Sequence, residues 1–502
     1  MKSYWIDSIE NKRKEFDRLN KNIKCDVCII GGGLTGINTA YYLAKTNLKV
    51  VLLEKTKICE QTSGNSTAKI TSQHGLFYDY LIQSQGREKA KQYLEANEEA
   101  IKNYENIIKN ENIECEFEKQ NNYVFARKDE ELKKIKKEIE AVNSLGFNAE
   151  YEEKLELPFD TLGAIKFSNQ AQFNPCKYAN GIISKIENKI QIYENTKVVD
   201  IEKKDEIYKI ITEEGNKIIA KHVVLASHYP IINAPGYYFL KMYQSMSYVI
   251  GVEVDEKLFD GMYISSDQPP LSFRTAKYGD KNLLIVAGMD HKTGEKRDIS
   301  GAYEALERVA DEFYPDGKVL YRWSTEDCIP LDKIPYIGEF SIFWPNVYVA
   351  TGFKKWGITT SNVAANIIVD KILGKENIYQ DVFESKRLKP IKNHVELANM
   401  IKESVKSLVI EKIKPNDDKI SELGKGEGQI VEIDGQKVGV YKDENGKIFA
   451  VKPICTHLGC ELSWNDLEKT WDCPCHGSRF SYEGKSIYAP SIKDLETINI
   501  DI

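Results

Sequence analysis

The sequence predicts an α/β domain of the Rossmann-like, glutathione-reductase type, carrying an antiparallel-sheet domain and followed by a small all-β module. Three observations carry this expectation. Residues 22–53 read as strand, glycine-rich turn, helix and strand, the order of a βαβ unit. Residues 164–286 shift to short alternating runs of the antiparallel kind. Residues 424–502 are short strands joined by Gly and Asn turns, with cysteines and histidines crowded at 455–476. At 502 residues the chain is too long for one core and fits two or three domains.

The first strand, CDVCII, runs into Gly31-Gly32-Gly33-Leu34-Thr35-Gly36, which sets Gly31, Gly33 and Gly36 in GxGxxG spacing. The first glycine permits the tight turn. The second lets backbone approach a pyrophosphate at the helix N-terminus, and the third lets helix pack closely on strand. The next strand, KVVLLE, ends in Glu54, eighteen residues past Gly36 and placed to accept hydrogen bonds from an adenosine ribose. A plain glycine-rich turn is the bland alternative, and the flanking strand, helix and acidic terminus weigh against it. The motif does not separate FAD from NAD. No second strand-flanked GxGxxG occurs, so a separate NAD(P)H domain is not expected.

Charged helices are expected at 87–110 and 129–144, with apolar residues at helical spacing. The alternating stretch that follows includes KVVDIEKKDEIYKIIT. Near 334–368 come the strand NVYVATG, a glycine turn and a helix rich in Ala, Ile and Val. Residues 381–418 read as a polar helical connector packed on the first domain, punctuated by Pro390 and Pro415. The expected domains are therefore 1–380, the connector 381–418, and 419–502.

Composition narrows the function class. Hydrophobic residues make up 42% and charged residues 29%, an ordinary globular balance. With 69 basic and 76 acidic residues well mixed, no basic stripe for nucleic acid exists. The N-terminus lacks an apolar signal core and a twin-arginine pair, and apolar runs stay far below the ~20 residues of a membrane helix. A cytoplasmic protein is expected. Of ten cysteines, Cys455, Cys460, Cys473 and Cys475 crowd together, which in a cytosolic chain argues metal before a disulfide framework.

Residues 1–380 resemble the D-amino-acid-oxidase-like family of FAD oxidoreductases, which includes glycine and sarcosine oxidases. TSGNSTAK falls where that family's loop contacts flavin and pyrophosphate. The resemblance thus implies Thr62, Ser63, Gly64, Asn65 and Ser66 at the cofactor, beside Gly31, Gly33, Leu34, Thr35, Gly36 and Glu54. DKIPYIG matches the family's D-x-x-P-x-I-G signature. VYVATGFKKWGITTSNVAANII matches its closing segment, where Gly352, Trp356, Gly357, Ile358 and Thr359 would lie against the isoalloxazine. Val199 corresponds to a strand whose backbone meets the adenine. The resemblance implies FAD and dehydrogenation of a C–N bond by hydride transfer to flavin.

Catalytic candidates come from the same likeness. Arg274, in LSFRTAKYG, sits where such enzymes place a carboxylate-binding arginine, with a solvated strand-end arginine as the alternative. Lys69 stands as a group stabilising charge at the flavin N1 side, or as a solvent-facing lysine. His74 and His291 read as loop histidines, and no catalytic base is assigned. Cys328 is spaced from Asp332 unlike the attachment cysteine of sarcosine oxidases, so a non-covalent flavin is expected.

The strongest signal is CTHLGC at 455–460 followed by CPCHGS at 473–478. Each segment offers one thiolate and one imidazole: Cys455 with His457, and Cys473 with His476. That set suits a [2Fe–2S] cluster with two cysteines on one iron and two histidines on the other. Tetrahedral zinc competes for the same four ligands. It fits neither the spacing, which is not that of a finger, nor the extra Cys460 and Cys475.

Residues 424–502 resemble the Rieske proteins of respiratory and photosynthetic cytochrome complexes. The resemblance implies Cys455, His457, Cys473 and His476 as ligands, and a Cys460–Cys475 disulfide tying the two loops. Ser478 corresponds to a serine that hydrogen-bonds a bridging sulfide, while the usual tyrosine two residues on is Phe480. Gly484 and Pro490 resemble the loop covering the cluster. Hydrogen bonds to sulfur raise the potential, so this cluster is expected below its respiratory relatives yet above about −150 mV. The relatives' membrane anchor is not seen, so a place in a quinol-oxidising complex is not expected.

The function expected is an FAD-dependent oxidoreductase, dehydrogenating a small amine or amino acid, whose cluster relays electrons to or from the flavin and an electron-transfer partner. One rival lets electrons enter through the cluster to reduce a substrate. Another makes both cofactors structural parts of a redox-sensing or binding protein. A Rieske oxygenase needs an iron on two histidines and a carboxylate, and His74, His222, His228, His291 and His394 form no such set.

Overall fold

The computed structural model describes residues 2–295, 299–387, 423–433 and 435–500. Ile23–Ile30 lies at the centre of the nucleotide sheet, parallel to Lys217–Leu225 on one side and to Val50–Leu53 on the other. Trp344–Thr351 and Gln191–Tyr193 extend it in parallel, and Tyr336–Ser341 closes one edge antiparallel. Strand side chains alternate between faces. Val27 and Ile29 therefore join Ile37, Ala40, Ile367 and Ile368 of the helices Leu34–Leu43 and Gly357–Ile372. Cys28 and Ile30 point the other way, into a cluster with Tyr208, Ile210 and Val349. Burial on both faces explains why these strands are continuously apolar.

The second sheet has nine strands, with Lys318–Pro330, Met242–Val254, Lys281–Lys292 and Ser272–Tyr278 adjacent in that order. All its pairs are antiparallel except Met262–Ser265 with Glu118–Ala126, which run parallel. The helices expected at 87–110 and 129–144 are Arg87–Glu111 and Asp129–Ser144.

Two features depart from the antiparallel expectation for 164–286. The hairpin Val198–Lys204 with Ile207–Thr212 pairs onto Lys217–Leu225, so it extends the nucleotide sheet instead of the second one. Helix Pro175–Ile186 also interrupts the stretch. Asn174 caps it by accepting from the Lys177 N–H at 3.1 Å, and Pro175 opens its first turn.

Near the N-terminus, Tyr4–Asp7 forms a short helix whose Trp5 is fully buried. Its indole donates to Ser66 O at 2.8 Å, so this segment braces the loop 62–69. The start of the connector packs on the first domain, where the Arg387 guanidinium meets both carboxylate oxygens of Asp332 at 2.7 and 3.0 Å. The rest of the expected connector, 388–418, lies outside the described residues.

The C-terminal module consists of a three-stranded sheet, Gly428–Ile433, Gln436–Lys442 and Ile448–Val451, and a four-stranded sheet spanning Ser463 to Tyr488. Its core joins Trp471 and Phe480 to Cys455, Cys460, Cys473 and Cys475. Among the described residues no helix is long and apolar enough to cross a membrane.

Candidate active site and metal centre

A cavity of about 300 Å³ opens over the carboxyl ends of the nucleotide strands, walled by Gly31, Gly33, Leu34 and Thr35. Gly31 has φ +114°, and a Cβ on it would lie 2.4 Å from Ala226 O. A Cβ on Gly36 would lie 1.9 Å from Gly31 O, so helix and turn touch only because that side chain is missing. Ser63 Oγ accepts from the Leu34 N–H at 3.1 Å. The other first-turn N–H groups have no intrahelical acceptor, which suits a pyrophosphate.

Glu54 is buried and lines the cavity. Its carboxylate accepts from Gly32 N at 2.7 Å and Thr56 N at 2.9 Å, leaving lone pairs for ribose hydroxyls. Thr62, Ser63, Ser66, Gly352, Trp356, Gly357, Ile358 and Thr359 also line the cavity. Gly64 and Asn65 do not; Gly64 instead packs where a Cβ would strike Cys59 O. At the far end the wall is Thr196, Lys197 and Val198, with Val199 one step beyond at a register shift in the hairpin.

The second sheet floors the cavity with Ser247, Val249, Ser272, Ala287, Thr325 and Asp327. Arg274 is not among them. It is buried and donates to the carbonyls of Thr67, Ala68 and Phe173 at 2.8–3.3 Å. Neither sequence reading of this residue holds: it is not solvated, it lies outside the cavity lining, and its Nη1 and Nε donate to backbone carbonyls. Lys69 is likewise buried, and its Nζ donates to Tyr263 O at 2.8 Å and Ser272 Oγ at 2.7 Å. Burial, reinforced by Arg274, holds its pKa well below the usual lysine value. His74 stacks on Trp356 with ring centroids 5.0 Å apart, and burial lowers its pKa to about 3, so it stays neutral. Cys328 is buried against His228 O and does not reach the cavity.

The two cysteine–histidine loops are built alike. Gly459 N donates to Cys455 O and Gly477 N to Cys473 O, both at 2.9 Å, and both glycines have φ near +80°. Each loop thereby closes into one turn with its cysteine at the start and its histidine inside. Cys455 and Cys473 are free, buried thiols. The His457 and His476 rings stand edge to face, centroids 5.1 Å apart. The Nδ1 atoms of both are buried without a hydrogen-bond partner, which costs free energy unless something fills that role. Two orphaned imidazole nitrogens beside two buried thiols are a donor set that fits a [2Fe–2S] cluster. Cys460 and Cys475 form a disulfide across the loops. The sulfurs of Cys460, Cys473 and Cys475 also lie within 4.8 Å of one another, but the disulfide takes two of them out of contention as ligands.

Surrounding donors tune this centre. Cys473, the backbone N–H groups of His457 and Leu458, and the Ser478 hydroxyl all reach Cys455 and draw its thiol down to about 7. Ser478 Oγ also accepts from Ser491 N at 2.9 Å. With Nδ1 left as acceptor, His457 carries its proton on Nε2 and donates to Asn233 Oδ1 at 2.9 Å. Phe480 is fully buried among the cysteines.

The two sites share a wall. Ser486, Tyr488, Ala489, Ser491 and Ile492 of the C-terminal module line the cavity of the first domain. Gln244 links them: its buried amide donates to His476 O at 2.9 Å and to Ala489 O at 2.7 Å. Gly477 lies against Gln244, where a Cβ would come within 2.5 Å. Sequence reasoning missed Asn233, Gln244, Asp327 and Lys355, because nothing in their local pattern marks them; only the docking of distant segments does.

Comparison with known proteins agrees with this geometry. The FAD dependent oxidoreductase family (DAO) matches residues 26–371, and the Rieske [2Fe-2S] domain matches 416–499. A Rieske 2Fe-2S iron-sulfur protein of Bacillus subtilis (strain 168), YhfW, is 37% identical over 500 residues, covering 99% of this chain and 98% of that one. Gamma-glutamylputrescine oxidoreductase of Escherichia coli (strain K12) is 24% identical over 390 residues, 74% of this chain and 89% of its own. Glycine oxidase from Geobacillus kaustophilus superposes with TM-score 0.62 at 19% identity, covering 73% of this chain and 99% of that one, a likeness of fold.

Proposed function

Since the chain belongs to the FAD dependent oxidoreductase family and ends in a Rieske [2Fe-2S] domain, we propose that it dehydrogenates a small amine or amino acid and passes the electrons through its cluster to a partner. Bound FAD supplies a hydride acceptor, and the cluster supplies a one-electron carrier. In this reading Cys455, His457, Cys473 and His476 are the ligands. Gly31, Gly33, Leu34 and Thr35 cradle the pyrophosphate, Gly36 lets the helix pack against the turn, and Glu54 takes the ribose. Thr62, Ser63, Ser66, Gly352 and Trp356 to Thr359 wall the flavin. Asn233 fixes the His457 tautomer, as an acceptor behind a ligating imidazole does. Gln244 holds the cluster module at the cavity.

One observation carries this reading: Ser486, Tyr488, Ala489, Ser491 and Ile492, in the module that bears the cluster loops, form part of the cavity wall. A cluster serving an outside quinol would have no use for such docking. Similarity to an oxidoreductase of gamma-glutamylputrescine supports a nitrogen-bearing substrate. The test is anaerobic mixing of holoenzyme with a panel of amines and amino acids while flavin and cluster absorbance are followed together. Flavin bleaching followed by cluster reduction is expected. No response to any member, with flavin reduction only when a chemical donor feeds the cluster, would overturn the direction of flow.

A further inference from the structure

The charge of the cavity floor narrows the substrate class, on the premise of the dehydrogenase reading above. Lys355, in the turn before the helix Gly357–Ile372, donates from Nζ to Asp290 Oδ2 at 2.8 Å and to Ser247 Oγ at 2.5 Å. Those two charges cancel. Asp327 remains. It follows Thr325 at the two-residue spacing that turns both toward the cavity, and it is 8% exposed. No side-chain donor among the described residues hydrogen-bonds it; it accepts from the backbone N–H of Lys355, whose ammonium, shared with Asp290, also attracts it. Lys69 is already committed to Tyr263 O and Ser272 Oγ.

No arginine lines the cavity, and Arg274 is turned into the carbonyls beneath it. An α-amino acid would therefore bring its carboxylate to a floor with a surplus carboxylate and no fork of donors to receive it. An ammonium group would instead find an acceptor that is charged, buried and short of partners. We propose that Asp327 binds the substrate's ammonium group, and that the substrate is a primary or secondary amine with no carboxylate on the carbon beside nitrogen.

The experiment titrates oxidised holoenzyme, under argon, with ethylamine, benzylamine and 1,4-diaminobutane, and with their α-carboxylated counterparts alanine, phenylglycine and ornithine, propionate serving as the amine-free control. In stopped flow, the shift of the visible flavin band reports binding, and the slower bleaching that follows reports reduction. At least one amine is expected to bind tenfold or more tighter than its carboxylate-bearing counterpart. Asp327→Asn should weaken that amine tenfold or more, and Asp327→Glu should recover part of the loss, with FAD and iron content showing that each variant is folded. Tighter binding of the amino acids, no response to any amine, or an unchanged amine Kd in folded Asp327→Asn overturns the assignment. If Asp327→Asn does not retain FAD, the ranking on the unaltered protein decides. An amine that shifts the band but never bleaches it upholds the binding site and defeats the dehydrogenase reading. Bleaching by amino acids alone does the reverse.

Discussion

His457 and His476 each leave a buried Nδ1 without a partner, while the atoms around the cysteine sulfurs are well supplied with donors. Second contacts should therefore move the cluster potential in opposite directions. Ser478 donates toward Cys455 and stabilises the reduced, more negative state, so Ser478→Ala is expected to lower the midpoint. Asn233 accepts from His457 and strengthens the imidazole as a donor to ferric iron, so Asn233→Leu is expected to raise it. One hydrogen bond of ordinary net strength corresponds to roughly 20–60 mV for a one-electron couple. A spectroelectrochemical titration checks both signs, and equal shifts in one direction would refute the account. The two cysteine–histidine loops were legible in sequence because short turns fix cysteine and histidine spacing locally. Asn233 was not, since it reaches the cluster loop across 224 positions. Arg274 was misread because a strand position says nothing of whether carbonyls or solvent await its end.

Strands and loops show the same division. Glycine spacing between strand and helix patterns marked the βαβ unit, and apolar residues at helical spacing marked both long helices, since each follows from a local period. The placement of the Val198–Thr212 hairpin and the docking of the last module depend on contacts between distant elements, which no period encodes. That docking buries charge. Glu326, on the strand Lys318–Pro330, is fully buried; its Oε1 accepts from Thr293 at 2.6 Å while its Oε2 has no partner. Burial outweighs the nearby Arg479 of the C-terminal module and raises this carboxyl to about 8. Between its ordinary value of 4.5 and about 8, the unfolded chain holds fewer protons than the folded one, so stability falls as pH rises. His74 and His228, lowered by burial to about 3 and about 4, act oppositely below pH 6.5. The difference between variants isolates the carboxyl. Glu326→Gln is expected to flatten the loss of melting temperature between pH 6.5 and 8, a slope of at most about 1.4 kcal/mol per pH unit. Parallel curves for the two proteins would refute this.

For the whole molecule, the decisive fact is that one cavity is walled by two domains. A substrate that loses a hydride delivers two electrons at once, whereas the cluster carries one. In the relay proposed above, the module stays docked while the first domain is drained in two steps. Gln244 and the packing of Gly477 against it supply that fixed geometry. Cys455 makes the dependence testable, because it belongs to the cluster loops and not to the cavity wall. Cys455→Ala is expected to lose the cluster's visible absorbance while keeping FAD, and the flavin should still bleach with an active amine. Turnover with one-electron acceptors such as ferricyanide or cytochrome c should fall at least tenfold, about 1.4 kcal/mol in the barrier or more. Oxygen uptake should rise, since reduced flavin now waits for another outlet. Stopped-flow bleaching rates separate the two halves of the reaction: they should change little, because the substrate floor is untouched. If acceptor turnover survives loss of the cluster, electrons leave from the flavin directly, and the docked module serves some purpose other than relay.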